Sequence, residues 1–164
     1  MTTPDILIED DRWMDAGLHR LAPPAIAATL ANQGIAEAEL SVLGCDDARI
    51  AVLNADFRDK PAPTNVLSWP EEELAPEIAG DRPIPPRPGF DGVIALGDIA
   101  IAYDTCAREA TEQGKPFDHH VTHLIVHATL HLMGYDHVRD ADATRMEQLE
   151  REILGTLGIP DPYS

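Results

Sequence analysis

Cysteine is scarce, with only Cys45 and Cys106 in 164 residues and no Cys-x-x-Cys pattern. A disulfide scaffold is therefore excluded, and both residues are expected to act as small buried hydrophobes. Basic residues are also few, 12 Lys and Arg against 29 Asp and Glu, for a formal charge of −17. Such a chain repels polyanions at long range, which excludes non-specific binding to DNA or to an anionic membrane surface. Long apolar runs are missing too. The most apolar window, Val93–Tyr103, is broken by Gly97 and Asp98, and the opening MTTPDILIEDDR has no basic stretch ahead of an apolar one. The expectation is a cytoplasmic chain that does not enter a membrane. Neither an internal repeat nor a heptad pattern is present. What remains is a composition of 44% hydrophobic and 25% charged residues, which predicts one globular domain over residues 1–164.

Strand and helix patterns alternate along that domain. Ile6–Ile8 reads as a short strand. A helical pattern from Trp13 to about Gln33 is expected to open or kink at Pro23-Pro24. Glu39–Gly44 alternates as a strand, and Asp46 caps a helix carrying Ile50 and Leu53. Residues 63–70 read as a turn followed by a strand. The stretch 70–91 holds six prolines among acids and glycines, so it is read as a long surface loop. Gly92–Ala102 is a strand too apolar for an exposed edge, and an unpaired carboxylate at its Asp98 would need a backbone or histidine partner. Helices are expected over Asp104–Gln113, Phe117–Met133 and Asp140 to about Leu157, the last with Met146, Leu149, Ile153 and Leu154 facing inward. The fold class is α+β: a small mixed sheet of about four strands packed with helices.

Five of the seven histidines lie between His119 and His131 on one helix, and His137 follows. His119, His123, His127 and His131 recur every four residues and so share a face. Adjacent members could chelate one ion, but His123 and His131 are ~12 Å apart at ~1.5 Å per residue and could not share it. A third ligand must come from elsewhere, and HATLHLMGYDH at 127–137 supplies it. Its H-x-x-x-H-x-x-G-x-x-H spacing is that of zincin-like hydrolases. Gly134 can take the left-handed conformation that ends the helix and returns His137 toward His127 and His131. Three neutral nitrogens leave a fourth tetrahedral position open, the mark of a catalytic zinc, one per chain. His119, His120 and His123 are read as solvent-facing or supporting groups. Metallopeptidases of this spacing carry Glu directly after the first histidine. Ala128 occupies that place, so peptide hydrolysis would lack its general base.

The run HATLHLMGYDH, with NADFRDKPAPTNVLSWP at 54–70 and LGDIAIA at 96–102, resembles the YbeY family. The three motifs fall in the family's order and the resemblance covers most of the chain. It implies a zinc-dependent endoribonuclease specific for single strands. Its implied roles are rRNA maturation, including processing of the 16S 3′ end, and ribosome quality control, with pre-rRNA and the small ribosomal subunit as partners. Two alternatives stand beside it: a non-catalytic assembly factor with a structural zinc, and a metallopeptidase lacking its Glu base. The resemblance assigns zinc to His127, His131 and His137, and activity with RNA contact to Arg58. Read without the family, Arg58 is either a solvated surface arginine or a bidentate phosphate partner. Asp136, beside a candidate ligand, is either a supporting group or a turn aspartate. Two departures from the family are Ala128, where glycine is usual, and a longer proline-rich stretch at 71–91.

Overall fold

The computed structural model describes residues 4–163, with the side chain of Phe57 outside that description. The order is β1 (Asp5–Ile8), α1 (Arg12–Ala16), α2 (Leu18–Asn32), β2 (Glu39–Cys45), α3 (Asp47–Arg58), β3 (Val66–Pro70), β4 (Ala95–Ala102), α4 (Tyr103–Gln113), α5 (Phe117–Leu132) and α6 (Asp140–Thr156). The strands form one mixed sheet in the order β1-β2-β4-β3, with β3 antiparallel to β4 and the other pairs parallel. This is the α+β arrangement expected, and β4 is an inner strand.

Side chains alternate across the sheet. Leu40, Val42, Ile99 and Ile101 enter the main core with Trp13, Ile26, Ile125, Leu130 and Met146. On the other face, Cys45, Leu67, Ala100 and Ala102 pack with Ile50 of α3. Both cysteines are buried and free, and burial pushes the Cys45 thiol up to about 12. The same alternation corrects the expectation for Asp98. It points away from the main core and is exposed; its partner is the Ser41 hydroxyl on the neighbouring strand. Helix α5 is the central helix, touching α2, α4, α6, β3 and β4. Among the described residues no helix is long and apolar enough to cross a membrane.

The break in the first helical region lies at Gly17, not at Pro23-Pro24. Gly17 is left-handed, with φ 83°, and closes α1. Both prolines sit inside α2 near its start. There they forfeit only bonds to the carbonyls of His19 and Arg20, which are exposed residues that water can serve. The strand expected from Gly92 begins at Ala95, because Gly89–Val93 closes a hydrogen-bonded turn.

The proline-rich stretch has no regular element, yet it is not a free flap. Leu74 is buried. Arg139 donates to the carbonyls of Pro76 and Glu77 at 2.8 Å each, and Arg145 donates to that of Gly80 at 2.9 Å. The Gly80 amide in turn donates to Asp142 at 2.9 Å, and this bond, with Arg139, holds the Asp142 carboxyl below its ordinary range.

Helix α5 ends as its glycine requires. Gly134 has φ 97°; its amide bonds to the His131 carbonyl and that of Tyr135 to the Leu130 carbonyl, a Schellman closure. A Cβ here would stand 2.7 Å from the Leu74 carbonyl carbon and oxygen, so the glycine also admits the loop. Gly134→Ala should cost at least about 2 kcal/mol, seen as a fall of roughly 4–8 °C in Tm. Gly155→Ala, inside α6 with open space at its Cβ, should raise stability by about 0.5–1 kcal/mol. Thermal unfolding of the two variants checks both signs.

Candidate metal centre and cleft

A cleft of about 670 Å³ opens between the exposed face of α5 and β3. His123, His127 and His131 line it on successive turns, His137 and Asp136 follow from the Gly134 turn, and Arg58 enters from the end of α3. Ala128 is buried in its wall, so no carboxylate follows His127.

The ring centroids of His127, His131 and His137 form a triangle: 6.4 Å from His127 to His131, 5.2 Å from His127 to His137 and 6.3 Å from His131 to His137. Three imidazoles on one tetrahedral ion, with N–metal bonds of ~2.1 Å, hold their centroids about 5 Å apart. His127 and His137 already stand at that spacing, while His131 is set wider. Accordingly, among the described residues no three His, Cys, Asp or Glu side chains are closed tightly enough to hold a metal as they stand. The donor chemistry nevertheless fits one. His127 Nδ1 donates to Glu150 at 3.1 Å and His131 Nδ1 to the Tyr135 carbonyl at 2.8 Å. Both rings are thereby left with Nε2 as the free donor atom, the usual arrangement of a ligating histidine. Burial lowers the pKa of His131, keeping it in the neutral, ligating form. His137 is exposed, and the Asp136 carboxylate accepts its backbone N–H at 2.7 Å.

Glu150 is the site residue that pattern reading missed. It comes from α6, is completely buried, and accepts from His123 Nε2 at 2.8 Å, from His127, and from the Tyr163 hydroxyl. Burial pushes its pKa up, but the hydrogen bonds from His123 and His127 outweigh it and bring the group to about 2. One signal was available: position 150 lies four residues after Met146 and three before Ile153, on the inward face of α6. The remaining histidines divide as follows. His123 supports Glu150. His120 is buried and bonds Glu109 at 3.0 Å, which also accepts from Asn65. His119 does not line the cleft.

Arg58 is exposed at the C-terminus of α3, where Asp59 takes a left-handed turn. Buried Asn54 fastens that turn: its carbonyl accepts from Lys60 N–H and its side chain donates to the Ala62 carbonyl at 2.9 Å. Arg12, Arg20, Arg49, Arg108, Arg139 and Arg151 are paired with carboxylates. Among the described residues Arg58 forms no ion pair, and it is the only Arg or Lys lining the cleft.

The model of the family described as Endoribonuclease YbeY matches residues 7–158. The chain belongs to the YbeY family of endoribonucleases. Proteins named Endoribonuclease YbeY are 61% identical in Ruegeria pomeroyi (99% of this chain, 98% of the relative), 58% in Paracoccus denitrificans (97% and 88%) and 50% in Rhodopseudomonas palustris (98% and 91%). The solution structure of TM1509 from Thermotoga maritima superposes with a TM-score of 0.57 at 20% identity, covering 95% of this chain and 92% of that one. At that identity it supports the fold alone.

Glu150→Ala should leave two imidazole N–H groups and a phenol without their acceptor, at a cost of about 3 kcal/mol. Glu152→Ala, on the exposed side of the same helix, should stay within about 0.5 kcal/mol. Urea unfolding of both variants measures the difference.

Proposed function

We propose that the chain is a cytoplasmic, Zn²⁺-dependent endoribonuclease. It would cut single-stranded pre-rRNA on the small ribosomal subunit, in 16S 3′-end maturation and ribosome quality control. His127, His131 and His137 would hold one ion, and Arg58 would be the catalytic arginine. The observation that carries this reading is the pairing, in one cleft, of two imidazoles whose Nδ1 atoms are already occupied with an arginine that has no carboxylate partner among the described residues. Zinc bound there supplies Lewis acidity and lowers the pKa of water.

The protein's own part is positioning. The planar guanidinium of Arg58 binds two oxygens of a phosphodiester and offsets the negative charge that builds on its non-bridging oxygens as a nucleophile attacks. Ala128 weighs against the peptidase alternative, since the carboxylate that such peptidases carry directly after the first histidine is absent at that position.

Arg58→Ala should keep fold and zinc while losing about 10²-fold or more in RNA cleavage, whereas Arg49→Ala, on the same helix but paired with Glu9, should change little. His137→Ala should lose most of its zinc and His119→Ala should keep it. Metal analysis with a cleavage assay decides the assignment; full zinc occupancy in His137→Ala would sink it.

The charge of −17 sets a further expectation. Free RNA should bind with a shallow salt dependence, about two or three phosphate contacts at ~0.7 each in the log–log slope. Assembled small-subunit particles should be cut better than naked RNA. Binding across a salt series tests this, and a steep slope on free RNA would contradict it.

A further inference from the structure

Glu150 has no exposed surface, so both its oxygens depend on donors from the protein. His123 and His127 both donate to Oε1, at 2.8 and 3.1 Å. Among the described residues the one donor to Oε2 is the Tyr163 hydroxyl, at 2.8 Å. A phenol has a single proton to give, and Oε1 is already served twice, so its 3.0 Å approach to Oε1 is the lesser contact.

The segment after α6 is built to bring Tyr163 there. The Ile159 amide bonds back to the Leu154 carbonyl, and Lys115 donates to the Pro162 carbonyl at 3.3 Å. Arg151 pairs with Asp161 at 3.0 Å and lies over the Tyr163 ring, 5.4 Å from its centroid. The ring meets His123 edge-on, with centroids 5.6 Å apart. These contacts come from α4–α5, from α6 and from the segment itself, and they converge on one hydroxyl.

We propose that Tyr163 is a positioning residue of the candidate metal centre: through Glu150 it holds His127 with Nδ1 protonated and Nε2 free to ligate. The inference rests on the zinc reading above. With Oε2 unserved, the carboxylate would turn or recruit water, and its hold on His127 Nδ1–H would loosen. The ring could then take the other tautomer, in which Nε2 carries the proton and cannot bind a metal.

Tyr163→Phe removes the hydroxyl and keeps the ring. In the zinc-free protein, nitrogen NMR of the imidazoles should show His127 passing from a single Nδ1–H form to a mixture. Zinc affinity, measured by competition with a chromophoric chelator, should fall about tenfold or more. In a Glu150→Gln background the same substitution should add no further loss, because both residues act on one path. Zinc affinity within about twofold of the parent together with an unchanged His127 tautomer would overturn the proposal. Additive effects of the two substitutions would overturn it as well, since Tyr163 would then act elsewhere. Failure of the underlying zinc reading has a different signature: His127→Ala would bind zinc as tightly as the parent.

Discussion

An ionised carboxylate sealed from water must be surrounded by donors, and meeting that demand for Glu150 organises the whole site. Desolvating such a charge costs several kcal/mol unless its oxygens are met. Helix α6 can therefore lie against α5 only where His123 and His127 turn their N–H groups toward it. The hydrogen bond that makes the helix contact tolerable also turns His127 Nε2 to the cleft. Helix packing and the orientation of the His127 ring are thus one interaction.

Much of the fold and half of the site could be read in advance. The sheet, the run of helices and the ending of α5 follow from short-range rules: alternation in β2, the Asp46 cap that accepts from the Arg49 amide at 2.8 Å, and a glycine placed where the chain must reverse. The histidine spacing is equally local. What could not be read depends on contacts distant in sequence. Glu150 is 23 residues from His127, and nothing in its neighbours distinguishes it from a solvated glutamate except its place on the inward face of α6. Asp98 was misjudged because an apolar strand suggested burial on both faces, whereas α3 covers only part of the outer one. The prolines of α2 misled for a related reason. Each proline removes one bond from the helix, and here the carbonyls left over belong to His19 and Arg20, which are exposed and can turn to water.

The acidic composition also looks different once cations are assigned to partners. Most arginines are committed to stabilising the chain itself, through carboxylates or loop carbonyls. The excess of acids therefore spreads a repulsive field over the surface and leaves an attractive group in the cleft. A polyanion approaching at random meets that field, so the surface discourages indiscriminate binding, and Arg58 is the basic group that the cleft presents among the described residues.

The clamped loop divides the proline-rich stretch into two unequal parts. Between Leu74 and Gly80 the backbone is fastened at Pro76, Glu77 and Gly80 by Arg139, Arg145 and Asp142 at the start of α6, and the Ile84 amide returns to the Leu74 carbonyl. Insertion or deletion of one residue there would put carbonyls out of phase with the guanidinium groups and disturb the helix that carries Glu150. Among the described residues no such bonds hold the stretch between Ile84 and the Gly89–Val93 turn. A change in chain length should therefore be tolerated better in that second part than in the first, which makes it the place to accept an insertion or a graft with least disturbance of the histidines.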